Sequence, residues 1–283
     1  MRLGFDLLLW TTHVTDAHWP IIEDLKRTGY DGVEIPLFEG TVAEYEALGK
    51  RLKSIGLAST GIAVMAGGSA ISPDKAMRAK ALDHLKWIAD CTAAIGGDTF
   101  AGPFHQPLGE FSGRGPTADE VKWCAEVHKD AAQYAAKLGV NLAVEPLNRF
   151  ECYFLNTIEQ AVALVKAVDE PNYGYLFDTF HTNIEENNVP ELIRWSAPYI
   201  KHVHITENNR GVPGAGHIPF QPVFDALRSS GYDGWMTIEA FGSALPDLAA
   251  ATKIWRPLFK QESDVYRGGF ALMRDGWAKA PRK

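Results

Sequence analysis

The run "TADEVKWCAEVHKDAAQYAAKLGVNLAVEPLNRFE", residues 117–151, compresses a helix, a turn, a strand and a burst of charge into one unit. Thr117 carries the short hydroxyl side chain favoured at a helix N-cap, and Gly139 is the residue type that stops a helix. The apolar stretch that follows is too short for a helix of ordinary length. It reads as a buried strand over Asn141–Glu145. The chain then leaves that strand through Glu145, Arg149 and Glu151, an unexpected density of charge at the mouth of a core element.

The same unit recurs in both directions. Candidate strands lie at Leu3–Leu9, Gly32–Ile35, Ala58–Val64, Thr99–Phe104, Asn141–Glu145, Tyr173–Asp178, His202–Thr206 and Met236–Ala240. Helical patterns separate them. "LGKRLKSIG" ends one helix at Gly56. "SPDKAMRAKALDHLKWIADCTAAIGG" predicts another, with Ser72 as N-cap, Pro73 at the first helical position and Gly96 at the exit. Strands alternating with helices imply βαβ units and a parallel sheet. Eight such units predict an α/β fold, a single (β/α)8 TIM barrel over residues 1–283, with a doubly wound open sheet as the alternative. A short repeat agrees with this: "GYDGVEI" (29–35) returns as "GYDGWMTIEA" (231–240), each leading to a glutamate, Glu34 and Glu239. Convergent turn chemistry or an old duplication would both produce it. The tail after Lys260 reads as an extra C-terminal helix or two.

Composition narrows the function. The chain has 283 residues, 46% hydrophobic and 22% charged, with a net charge of −7. No block of Lys and Arg suggests a phosphate-binding surface, so nucleic acid and anionic membranes are poor partners. No apolar run is long enough to span a bilayer, and the N-terminal "MRLGFDLLLW" reads as a first strand rather than a signal segment. Cys91, Cys124 and Cys152 are scattered and unpatterned, which predicts reduced, packing thiols and a cytoplasmic setting.

In a (β/α)8 barrel the chemistry sits at the C-terminal ends of the strands. The fifth strand ends in Glu145, the sixth in Asp178, the seventh carries His202 and His204, and the eighth ends in Glu239. Four successive strands thus point ionisable groups at one mouth. Three carboxylates in a mostly apolar pocket repel one another, and a divalent cation is the simplest compensation. An oxygen-rich set with one histidine favours Mn²⁺, Mg²⁺ or Co²⁺ over a sulfur-rich structural zinc site. Independent salt-bridge partners on loops are the plainer alternative. His202 shares a strand face with His204 and, one step deeper, reads equally well as a satisfied core histidine.

At these residues the sequence resembles the D-tagatose 3-epimerase / D-psicose 3-epimerase family, ketose 3-epimerases among the sugar isomerase-like TIM barrels. The resemblance rests on "EPLNRFE", "FDTFHTNIEE", "HVHITENNRGVPGAG" and "IEAF", and covers nearly the whole chain in order. It implies C3 epimerisation of free ketoses with a divalent metal, usually Mn²⁺ or Co²⁺. It makes Glu145, Asp178, His204 and Glu239 the metal ligands and Glu145 and Glu239 the acid/base pair. Glu151, His181 and Arg210 would hold the substrate near O1 and O2, with Phe241 beside it. It also implies a homodimer or homotetramer. The departures lie elsewhere: Leu7–Leu9 stand in the first strand where relatives often carry aromatics, and Met65, His105 and Gln106 follow the third and fourth strands. These positions are expected to shape the far end of the substrate. Arg149 is expected to balance the carboxylates or to orient Glu151, and Trp10 and Trp19 either wall the pocket or fill space.

The chemistry suits the residue types. The C3 hydrogen of a ketose is acidic because the C2 carbonyl adjoins it, and its removal gives a cis-enediolate. Returning the proton to the opposite face needs a second base, so two carboxylates flanking the plane are expected. His181 and Arg210 would donate to the developing oxyanion. Rival readings are an aldose–ketose isomerase of the hydroxypyruvate isomerase type, which moves the proton between C1 and C2, and an inosose dehydratase-like enzyme. An endonuclease IV-like enzyme would need a His-rich three-zinc site and a basic surface. A non-catalytic sugar-binding barrel would be marked by loss of Glu145 or Glu239, and both are present.

Overall fold

In the computed structural model, which describes residues 1–283, the eight strands pair in parallel, each with the next, and the last closes on the first. They are β1 (Arg2–Asp6), β2 (Gly32–Pro36), β3 (Ala58–Ile62), β4 (Thr99–Gly102), β5 (Asn141–Val144), β6 (Tyr173–Asp178), β7 (Ile200–Ile205) and β8 (Trp235–Ile238). The closed ring excludes the open doubly wound sheet. Ten helices accompany them: α1 (Trp19–Thr28), α2 (Val42–Ser54), α3 (Lys75–Ala94), α4 (Ala118–Ala136), α5 (Ile158–Val168), α6 (Thr179–Glu185), α7 (Val189–Ser196), α8 (Phe220–Ser229), α9 (Pro246–Thr252) and α10 (Glu262–Lys279). The strands are almost wholly buried, because helices cover their outer face and their inner face fills the barrel.

Local chemistry sets most boundaries. Thr117 caps α4 with a reciprocal capping box: its hydroxyl accepts the Glu120 N–H, and the Glu120 carboxylate accepts the Thr117 N–H. Gly139 takes φ 72° just beyond that helix, as its residue type predicts. Two expectations fail. The N-cap of α3 is Asp74, which accepts the Ala76 N–H at 2.8 Å, and Ser72 instead accepts the Asp74 N–H, so the helix starts two residues after Pro73. The first strand stops at Asp6, whose carboxylate accepts the Leu8 N–H at 2.9 Å and turns Leu7–Leu9 into a 3-10 turn.

At the end of β4, Gly102 adopts φ 126°, and a Cβ there would lie 2.1 Å from the Ala63 carbonyl oxygen. That close approach lets the Gly102 carbonyl accept the Glu145 N–H at 2.9 Å, which places Glu145 one residue beyond β5. The extra helix is α10, tied back to the barrel by the Tyr30 hydroxyl donating to the Tyr266 carbonyl at 2.7 Å. Trp10 packs on Phe5 and Tyr266, and Trp19 lies under the Arg51 guanidinium. Both therefore fill space outside the barrel mouth. The three cysteines are buried and unpaired. No helix is long and apolar enough to cross a membrane.

Candidate active site

At the C-terminal mouth lies a cavity of about 170 Å³ whose polar lining is Glu145, Glu151, His181, Arg210, Glu239 and Thr252. Glu145 follows β5, Asp178 ends β6, His204 lies in β7 and Glu239 follows β8, so four consecutive strands deliver one group each. All four are at most 5% exposed.

Asp178 is held rigidly. Its Oδ1 accepts the Phe180 and His181 N–H groups at 2.6 and 3.0 Å, capping α6, and its Oδ2 accepts the Thr206 hydroxyl at 2.6 Å. His204 offers Nδ1 toward Glu239 Oε1 at 3.4 Å and Asp178 Oδ2 at 3.8 Å. Ligand atoms of Glu145, Asp178 and His204 all lie within 4.8 Å of one another. Glu145 Oε1, Glu239 Oε2 and His204 Nδ1 have no hydrogen-bond partner although each is buried. Unpaired buried acceptors are rare and costly, and a divalent cation between these groups would satisfy all of them together. Three carboxylates and one imidazole are hard, oxygen-rich donors that fit a divalent ion of the Mn²⁺, Mg²⁺ or Co²⁺ kind.

Electrostatics express the same strain. Burial, and then the nearby Glu239 charge, raise Glu145 well above the usual carboxylate range. The same two causes push Asp178 up to about 6. Burial opposes a charge on His204, but Glu34 and Glu239 outweigh it and raise its pKa. Burial and the Arg210 charge keep His181 neutral.

Both nitrogens of the neutral His181 ring face donors. The Asn148 backbone N–H points at Nδ1 from 3.0 Å. Arg210 Nη2, which also can only donate, stands 3.2 Å from Nε2, and Glu145 Oε1 lies 3.5 Å from that same nitrogen. Arg210 is buried, with Nη2 3.3 Å from Glu151 Oε1, while its Nε and Nη1 have no partner. Its guanidinium is sandwiched by Phe180 and Phe241 at 4.2 and 5.0 Å from their ring centres. The free Arg210 N–H groups and the His181 ring thus converge beside the carboxylates. Glu151 also accepts from the Asn148 side chain at 2.9 Å.

The remaining walls are apolar: Leu8, Phe38, Ile62, Val64, Pro103 and Leu108, with Leu248 and Ala251 of α9. Of the residues expected there, Leu8 lines the cavity, whereas Leu7, Leu9, Met65, His105 and Gln106 lie buried behind it. Arg149 is corrected. Its side chain is 60% exposed and bonds Glu185 at 3.1 Å, turned away from Glu151. Reading the sequence also missed Asn148, Thr206 and the α9 wall. "EPLNRFE" held Asn148 in plain view, but nothing in it signals which ring nitrogen the Asn148 amide meets.

Comparison with known proteins agrees with this geometry. Residues 22–267 match the family described as "Xylose isomerase-like TIM barrel". The chain is 30% identical over 279 residues to a ketose 3-epimerase of Arthrobacter globiformis, covering 97% of this chain and 96% of the relative. A solved L-ribulose 3-epimerase superposes with a TM-score of 0.92 at 30% identity, covering 98% of this chain and 94% of that one. A D-allulose 3-epimerase of a Methylomonas species, solved in complex with D-allulose, superposes with a TM-score of 0.90 at 27% identity, covering 97% and 96%.

Proposed function

From the premise that this chain belongs to the ketose 3-epimerases of the xylose isomerase-like TIM barrel family and is an isomerase, we propose that it inverts C3 of a free ketose by a two-glutamate proton transfer. One observation carries this reading. Glu145 and Glu239 enter the same cavity from strands three apart in the ring, each with an unpartnered oxygen, and Asp178 and His204 occupy the interval.

Glu145, Asp178, His204 and Glu239 would hold a divalent ion, with Mn²⁺ the first choice and Co²⁺ or Mg²⁺ as alternatives. When bound, the ion would supply Lewis-acid polarisation of the C2 carbonyl and lower the charge cost of three buried carboxylates. One glutamate takes the C3 proton and the other returns a proton to the opposite face, with a cis-enediolate between the two transfers. The His181 imidazole and the free N–H groups of Arg210 would donate to the oxygens at C1 and C2, where negative charge develops. Glu151 holds Arg210 and accepts from a substrate hydroxyl. The apolar walls and the α9 roof exclude water from the proton transfers.

The substrate is read as unphosphorylated. Arg210 is the one cationic side chain lining the cavity, and Glu151 already neutralises it. The family relation is the ground for proposing a homodimer or homotetramer, and the three unpaired buried cysteines favour a reducing, cytoplasmic setting. The test is hydrogen exchange in D₂O with Mn²⁺ across D-fructose, D-tagatose and L-ribulose, read by proton NMR. Exchange at C3 is expected. Exchange confined to C1 would replace this reading with an aldose–ketose isomerase.

A further inference from the structure

The repeat that ends in Glu239 at one strand ends in Glu34 at another, and the proposed reaction leaves Glu34 without a role. It lies in β2, wholly buried, in register with Asp6 of β1 and Thr60 of β3. Three side chains converge on its two oxygens. The Thr60 hydroxyl donates to Oε1 at 2.7 Å, and His202 Nε2 stands 2.7 Å from the same oxygen. His204 Nε2 stands 2.7 Å from Oε2. Rotating the carboxylate would break the Thr60 and His204 hydrogen bonds, while His202 Nε2 is close to Oε1 but off the line of a hydrogen bond.

We infer that Glu34, held by Thr60 and packed against His202, is the positioning residue of the His204 metal ligand, and that it makes Nδ1 the nitrogen offered to the ion. The inference rests on the metal reading above. The chemistry is restrictive: a carboxylate only accepts, so Glu34 keeps a proton on His204 Nε2, and Nδ1 is the nitrogen that would give up its proton to a cation. Nδ1 is the atom that faces Asp178 and Glu239. A carboxylate behind a ligating histidine sets its tautomer and ring plane and raises its basicity, and losing such a partner typically weakens metal binding about 10–100-fold. His202 thereby acquires a function as well. It is a core histidine that occupies the Glu34 oxygen His204 does not use.

The test uses the full-length protein stripped of metal and titrated with Mn²⁺ by calorimetry. Glu34→Gln preserves the shape, but its amide accepts from one imidazole and presents N–H groups to the other. Its Mn²⁺ affinity is expected to fall about 10–100-fold with an unchanged apo circular dichroism spectrum. Thr60→Val keeps Glu34 and loosens the clamp, so a smaller loss in the same direction is expected. Loading with Co²⁺ adds a signature that a merely structural role would not move: the visible ligand-field bands shift in Glu34→Gln. In the Mg²⁺-loaded wild type, ¹⁵N-edited NMR should show a slowly exchanging Nε2–H on His204 that Glu34→Gln abolishes. Wild-type Mn²⁺ affinity in Glu34→Gln, or an NMR assignment of Nε2 to the ion, overturns the inference. If Glu34→Gln does not fold, wild-type affinity in Thr60→Val does so. A wild type that takes up no Mn²⁺ instead overturns the metal reading on which the inference stands.

Discussion

Substituting Asp178 by Asn should make the metal-free protein more stable while destroying its metal binding. The carboxylate is 1% exposed, and burial with the Glu239 charge moves its pKa from 3.8 to about 6. At about 1.36 kcal/mol per pKa unit, ionising it inside the folded protein costs about 3 kcal/mol at neutral pH. Asn removes that cost and keeps the frame. Its carbonyl oxygen still accepts the Phe180 and His181 N–H groups, and the Thr206 hydroxyl can turn to accept from its amide. The sign follows from proton counts. Between pH 3.8 and about 6 the folded state keeps a proton that the unfolded chain gives up. The cost is therefore absent below pH 3.8, grows through that window and is complete above about 6. For a chain of this length, with an unfolding entropy of about 2.1 cal/mol/K per residue, about 3 kcal/mol corresponds to about 5 °C in Tm. Calorimetry of EDTA-treated wild type and D178N should show the variant melting about 5 °C higher at pH 7.5, with about half that gain at pH 5. Added Mn²⁺ should raise the wild-type Tm and leave the variant unmoved. An apo variant that melts at or below wild type at pH 7.5, or whose advantage does not shrink at pH 5, refutes the electrostatic account.

Glu239→Gln should reduce C3 hydrogen exchange by about 10²–10⁴-fold with an unchanged circular dichroism spectrum, and wild-type exchange rates would sink the two-base mechanism. Arg149→Ala removes only an exposed pair with Glu185, so turnover should stay within about twofold and the melting temperature close to wild type; a large loss of turnover would return Arg149 to the site. Burial lowers His105 to about 3 and His128 to about 4. The unfolded chain gains protons below pH 6.5 that these rings refuse, so their stabilising contribution is lost as pH falls, by about 2 kcal/mol each at pH 5. The buried carboxylates shift stability the other way over the same range, so the effect is read by difference: the Tm of His105→Gln minus that of apo wild type should rise from pH 7 to pH 5, and a difference flat across that range contradicts the assignment.

Much of this molecule was legible before any coordinate. Strands of β-rich apolar residues alternate with capped helices, and that alternation has one favoured closed solution at eight units. The same rule put Glu145, Asp178, His204 and Glu239 at one mouth, because strand ends on one barrel face must converge. Where the sequence misled, a nearby side chain outbid a propensity: Asp6 bent Leu7–Leu9 out of the strand, and Asp74 displaced Ser72 as helix cap. Arg149 was misplaced for a different reason, since its partner Glu185 lies on another βα unit.

What only the tertiary structure decided are the pairings that barrel closure creates. Glu34 and His204 are 170 residues apart in the chain yet share a hydrogen bond. Asn148 and Arg210 meet the two nitrogens of His181 from different βα units, and α9 folds over the cavity although its sequence reads as an ordinary short helix. Local pattern specifies which face of an element is buried and which residue ends it. It carries no information on which distant atom will stand 2.7 Å away, because that depends on the register and closure of eight strands acting together. The proposed ligand set is thus written along the chain, and its orientation is written across it.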